Sequence, residues 1–287
     1  MKTRIFVGAT VLCVCALIAM GQSKKRPSPS PTPASVWDTY EGVKWQKGSS
    51  LGDLGDIAQV KVPDGYIFAD AKDTRTIMEA NQNPTTGREL GFVAPQGENW
   101  FAVFEFSDVG YIKDDDKDSL DASALLDSIK QGTEEGNKER QRRGWATMTI
   151  LGWEQPPHYN EVTHNLEWAV KAVSEGQSIV NHNTRLLGRG GVMEVTLVTE
   201  PADLAATLPK FKTMLAGFEF KQGHRYAEFR SGDKTAAYGL TGLIVGGTTA
   251  ALVKTGAFKW IWKALVAAFL AVSAAVKKLF SRNRSAA

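Results

Sequence analysis

The chain has 287 residues, with 34 Lys or Arg against 31 Asp or Glu and a net charge of +3. The two ends, residues 1–21 and 236–287, hold nine basic residues and no acid, so residues 22–235 carry 25 basic and all 31 acidic residues, a net of −6. An acidic middle lacks the basic face that neutralises phosphates, so no nucleic-acid partner is expected. The two cysteines, Cys13 and Cys15, both fall in the N-terminal apolar run. Once that run is removed, thiol catalysis, a disulfide framework and a cysteine-zinc site are excluded.

Residues 1–21 read as a secretory signal. Lys2 and Arg4 precede an apolar run from Ile5 to Met20, and Ala19-Met20-Gly21 places small residues at the cleavage end. An uncleaved anchor is the alternative. Residues 22–35 are a Pro/Ser-rich linker whose alternating prolines from Pro27 to Pro33 favour an extended spacer. Residues 36–235 read as one α+β extracytoplasmic domain. Strands are predicted over 57–62 and 66–69 around the Pro63-Asp64-Gly65 turn, and a short helix over 73–81. Residues 90–93 and 100–106 read as a hairpin, with Phe101, Val103 and Glu105 on one face. A helix over 122–143 has Asp121 as its N-cap and Gly144 beyond its end. Gly132 and Gly136 weaken it, so Leu125, Leu126 and Ile129 must hold it by packing. Four strands follow over 148–153, 166–173, 179–187 and 192–198, then a helix over 201–216 and a short strand over 218–220.

The tail predicts a membrane anchor. Residues 236–253 carry no charge, and the 18 residues would span roughly 27 Å as a helix, near the bilayer core. A transmembrane helix is therefore expected over 236–254, with Gly242 and Gly246 as a small-residue helix-packing face and a route to a homo-oligomer. Residues 258–287 form a second hydrophobic segment and basic tail, interfacial or transmembrane, with Trp260 and Trp262 suited to the headgroup level. Lys254, Lys259 and Lys263 follow the first span and place its end in the cytoplasm. The expected location is a bacterial inner membrane, the domain facing the periplasm and lipid as one partner.

Site chemistry is sparse. Asp114, Asp116 and Asp118 have calcium-loop spacing, but Ser119 stands where Gly is needed and Leu125 where the bidentate Glu belongs. A solvated loop ahead of the helix is the expectation. His158, His164, His182 and His224 match no metal-ligand spacing and read as surface or hydrogen-bonded histidines. No cofactor fingerprint is present, no metal is expected, and no acid pair stands out. Asn181, Asn183 and Arg185 alternate onto one face of a strand, and with Trp168 on the neighbouring strand as a stacking surface they could line a ligand groove. A solvent-facing side of a half-buried sheet, or a polar network tying the sheet to the long helix, is the simpler reading of the same residues.

Five strings carry a family resemblance. They are Gly110-Tyr111-Ile112-Lys113-Asp114-Asp115, the helix from Gly132-Thr133-Glu134-Glu135 to Arg143-Gly144-Trp145, and Gly152-Trp153-Glu154-Gln155-Pro156-Pro157-His158-Tyr159. Asn183-Thr184-Arg185-Leu186-Leu187-Gly188-Arg189 and Ala216-Gly217-Phe218-Glu219-Phe220 complete the set. Together they resemble a bacterial family of uncharacterised membrane-anchored proteins, some of whose members carry a name implying regulation of amylopullulanase. The resemblance supplies no catalytic residues. The strand and helix order resembles the α/β/α sandwich of the photosystem II extrinsic P protein, an antiparallel sheet between helices. The expected function is a non-catalytic binding or regulatory domain with a protein or glycan partner. An envelope hydrolase acting on polysaccharide and a structural membrane-assembly component are the alternatives.

Overall fold

The computed structural model describes residues 36–245. The expected signal (1–21), linker (22–35), Gly246, the rest of the 236–254 span and the 258–287 segment lie outside the described residues. Among the described residues no helix is long and apolar enough to cross a membrane.

The fold is α+β, built on an antiparallel eight-stranded sheet. Its strands are β1 (Gln46–Lys47), β4 (Tyr66–Asp70), β5 (Glu89–Pro95), β6 (Phe101–Ser107), β7 (Thr149–Asn160), β8 (Asn165–Ser174), β9 (Gln177–Leu187) and β10 (Val192–Thr199), in the order β1-β4-β5-β6-β10-β9-β8-β7. A second sheet takes β2 (Ser50–Leu54), β3 (Ala58–Val62) and β11 (Phe218–Phe220) in the order β11-β3-β2. Four α-helices accompany them among the described residues: α1 (Ala71–Ala80), α2 (Ala122–Arg142), α3 (Leu204–Leu215) and α4 (Leu240–Val245).

Period-2 patterning explains how the large sheet divides its faces. Val93, Ala102 and Leu197 stand in cross-strand register with His182 and Ala169 on one face. The small sheet and α3 cover this face, closing a core that includes Leu54, Val60, Phe104, Val195, Phe211 and Met214. On the other face Phe92, Val103, Thr196, Asn183 and Trp168 form the adjacent row. There α1 covers β4 and β5 through Ile77, packed with Ile67, Ala69, Phe92 and Val103. At the far end α2 and α4 cover β7 and β8, with Leu125, Leu240, Leu243 and Ile244 over Ile150, Leu166, Trp168 and Val170.

The helices follow their predicted signals. The Asp121 carboxylate accepts from the Ser123 and Ala124 amides and caps α2, and Gly144 takes the left-handed φ of 69° just past its end. Asn137 adds a tie not read from the sequence, its amide exchanging bonds of 2.8 and 2.9 Å with the Met148 backbone. β7 runs on to Asn160 through Pro156 and Pro157, beyond the predicted end at 153. It is an edge strand with register shifts, where missing N–H donors are tolerated.

Two expectations need correction. The acidic loop is not simply solvated: Asp116 is 7% exposed, and its carboxylate accepts from the Leu240 amide (2.9 Å), the Thr241 amide (3.2 Å) and the Thr241 hydroxyl (2.9 Å). His182 is neither a surface nor a hydrogen-bonded histidine. It is 1% exposed, and neither ring nitrogen has a hydrogen-bond partner among the described residues.

That burial holds the His182 pKa below its ordinary value, with the Glu167 carboxylate 3.9 Å away opposing the shift and Lys212, paired to Glu167 at 3.1 Å, reinforcing it. A depressed histidine pKa means the unfolded chain binds the proton more readily. Stability is then full above about pH 6.5 and falls as the pH drops below it. The melting temperature of the wild type should fall between pH 7.5 and 5 more steeply than that of His182→Leu. Equal slopes would assign the acid sensitivity elsewhere.

Candidate functional site

Between α1 and α2 the middle strands β6, β10 and β9 are uncovered enough to leave Phe101, Glu105, Glu194, Thr196, Val198 and Asn181 partly exposed. They floor a groove whose length follows the strands. From Glu105 to Phe101 is five residues of strand, roughly 14 Å at about 3.4 Å per step. At one end lies a row of charged cross-strand partners: Glu89 on β5, Glu105 on β6, Glu194 on β10 and Arg185 on β9. Neighbouring strands bring such partners to Cβ separations of about 4.5–5.5 Å. At the other end a cleft of about 440 Å³ is lined by Trp37, Tyr40, Asn81, Phe101, Ile179 and Val198.

The charged row is a network. Arg185 is 8% exposed and pairs with Glu194 through Nη2 to Oε2 at 3.1 Å. Its guanidinium lies 4.7 Å from the centre of the Trp168 ring, a cation–π contact. The Nε and Nη1 of Arg185 are buried without a hydrogen-bond partner among the described residues, as is Oδ1 of Asn181. The other Glu194 oxygen takes Arg88 Nη1 at 3.0 Å and a bond from the Ser107 hydroxyl. Glu105 lies 3.7 Å from Arg88 and 3.2 Å from the Thr86 hydroxyl, whose one hydrogen it shares with Glu89. Glu89, only 2% exposed, is held by the Thr86 and Gly87 amides and the Thr86 hydroxyl.

These surroundings push neighbouring carboxyls in opposite directions. Burial raises the Glu105 pKa; Arg88 opposes this, while the Glu194 and Glu89 charges add to it. Burial also acts to raise Glu194, but Arg185, Ser107 and Arg88 outweigh it and hold that carboxyl below its ordinary range. The two adjacent carboxyls are thus pushed apart in pKa, Glu105 upward and Glu194 downward, the kind of divergence that acid–base sites use. Among the described residues no group of three or more His, Cys, Asp or Glu is arranged to hold a metal ion.

The four residues expected to form a ligand face are brought together, with changed roles. Asn181, Asn183 and Arg185 share the groove face, and Asn183 accepts from the Thr196 hydroxyl at 3.2 Å. Trp168 is not an open stacking surface. It is 3% exposed, packed in the core beneath α2, and Arg185 occupies one face of its ring. Glu89, Glu105, Glu194 and Arg88 were not anticipated. The one trace in the sequence is Glu105 alternating with Phe101 and Val103, a charge on an otherwise apolar strand face.

Gly242 is also placed. It is buried in α4, where a Cβ would come within 2.2 Å of the Tyr238 ring. Its smallness serves a contact inside the chain.

A family model described as "Protein of unknown function (DUF2167)" matches residues 46–277. No curated protein matches the chain. Among solved structures, the solution structure of cyanobacterial PsbP (CyanoP) from Synechocystis sp. PCC 6803 is similar at 13% identity. That likeness covers 68% of this chain and 98% of that chain, with a TM-score of 0.37.

Proposed function

The chain belongs to the DUF2167 family of proteins of unknown function, and we propose that it is a membrane-anchored envelope protein whose periplasmic domain binds a polar ligand in the groove between α1 and α2. One observation carries the binding half of this reading. Arg185 and Asn181 keep three buried polar atoms without hydrogen-bond partners among the described residues. Each such atom costs about 1–3 kcal/mol unless a partner arrives from outside the chain. A hydroxyl-, carboxyl- or amide-bearing ligand from a protein or glycan supplies such partners, and the aromatic cleft at the other end of the groove gives it apolar contact. The two covered faces of the large sheet support a sandwich of the photosystem II P-protein type.

Anchoring rests on the acid-free sequence beyond residue 245, where the apolar stretches 246–253 and 264–276 are joined by Lys254, Lys259 and Lys263 and followed by Lys277, Lys278, Arg282 and Arg284. Residues 236–245 are packed on the domain, so any crossing starts close to the domain surface. A reporter active only outside the cytoplasm, fused after Ser35, should be active, and the same reporter after Ala287 should be silent. A silent reporter after Ser35 overturns the periplasmic assignment.

The hydrolase reading gains from the opposite pKa directions of Glu105 and Glu194. Turnover of a polysaccharide panel by the purified full chain, abolished by Glu105→Gln with folding intact, would replace the binding reading with catalysis.

A further inference from the structure

The groove and the start of the apolar tail are joined by one short piece of chain, residues 107–116. At its first residue the Ser107 hydroxyl bonds to Glu194 of the charged row and receives Arg88. At its last residue Asp116 accepts the first two amides of α4. The residues between are fixed along their length. The Gly110 amide donates to Gly190 O at 2.9 Å, the Tyr111 amide to Lys234 O at 2.8 Å, and the Ala236 amide to Tyr111 O at 2.9 Å. Tyr226 Oη donates to Ile112 O at 2.9 Å, and Tyr159 Oη donates to Asp114 at 2.9 Å. Tyr111 is stacked between Tyr226 and Phe229, at 4.5 and 4.1 Å.

Close approach leaves this segment little slack. A Cβ on Gly191 would come within 2.1 Å of Ser107 O, and one on Gly110 within 2.7 Å of Lys234 O. At the tail end a Cβ on Gly239 would come within 2.4 Å of an Asp116 oxygen. The segment before α4 is pinned as well: Arg189 holds Asp233 through two bonds of 2.7 Å. Tyr238 lies close enough to Glu194 and Arg88 for their charges to act on its hydroxyl.

We propose that residues 107–116 form a coupling strap: the Glu194 end senses the state of the groove, and the Asp116 end holds or releases the first turn of α4. The docked arrangement described above is one state. In the other the Asp116 bonds are broken and α4 leaves Ile112 and Leu125. A ligand that draws Glu194 away from Ser107 favours release, because the strap then loses its side-chain tie to the charged row and keeps only its backbone pairing with β10 and the Gly190 contact.

Amide hydrogen exchange of the full chain in detergent micelles, read on peptides spanning 238–245, tests this. Asp116→Ala removes three bonds at once and should speed exchange at Leu240 and Thr241 by at least about tenfold. Ser107→Ala removes no bond to residues 236–245, yet should speed the same amides by about fivefold. Exchange in β3, on the opposite face of the large sheet, should stay unchanged in both variants. If Ser107→Ala leaves 238–245 unchanged while Asp116→Ala accelerates it, the clamp is local and the coupling is wrong. No effect of Asp116→Ala removes the clamp itself. Equal acceleration of β3 in the Ser107 variant means general loosening and also overturns the proposal.

Discussion

Replacing Glu194 by Ala should destabilise the domain by about 3–5 kcal/mol, because it strands the Arg185 guanidinium in the sheet without its counter-charge. Arg185 has no other ion-pair partner among the described residues. Its remaining contact, the face of Trp168, offsets only about 1–2 kcal/mol. For a domain of this size the melting temperature should fall by roughly 6–20 °C. Substituting both partners, Arg185→Met with Glu194→Met, should recover most of that loss, since a matched apolar pair carries no desolvation cost. The Ser107 hydroxyl and Arg88 then lose an acceptor, but Arg88 is more than two-fifths exposed and can be solvated. Thermal melts of the single and double variants check this. A double variant no more stable than Glu194→Ala would mean that the charge pair is not what the site depends on.

The second large effect is at Trp168. Trp168→Ala should cost about 3–5 kcal/mol, with an added loss from the cation–π contact. The ring is buried beneath α2 among Leu166, Val170 and Leu125, so its removal opens a cavity beside a buried charge. An exposed stacking residue would behave differently: its loss would abolish ligand binding and leave the melting temperature almost unmoved. Chemical denaturation of the variant separates the two roles, with a midpoint shift at constant slope expected.

Local pattern made most of the elements legible. The alternation in 166–173, 179–187 and 192–198 predicted β8, β9 and β10, and Asp121 with Gly144 bracketed α2. What local pattern could not supply was partner order. β6 lies beside β10, so Glu105 meets Glu194 only once the sheet is assembled. The charged row is therefore invisible in any window of the sequence, although the alternation of Asn181, Asn183 and Arg185 onto one strand face is legible there. The same limit hid Asp116. Its spacing with Asp114 and Asp118 suggested a solvated or calcium-type loop, while its partners Leu240 and Thr241 lie more than 120 residues away. Hydropathy likewise does not register that Leu240, Leu243 and Ile244, inside the apolar run after 236, have a protein surface to cover. β7 was cut short for a related reason: Pro156 and Pro157 break a central strand but not an edge.

The central claim is that the charged row is a ligand site as well as a structural network. Thermal shift compares the wild-type full chain with the Arg185→Met/Glu194→Met variant across a panel of soluble cell-wall glycans, peptides and amino acids. A ligand that binds only the folded state raises the melting temperature with its concentration. The prediction is that at least one panel member stabilises the wild type and has no effect on the folded double variant. Equal stabilisation of both proteins by every active panel member would contradict the claim and leave the row a purely structural device.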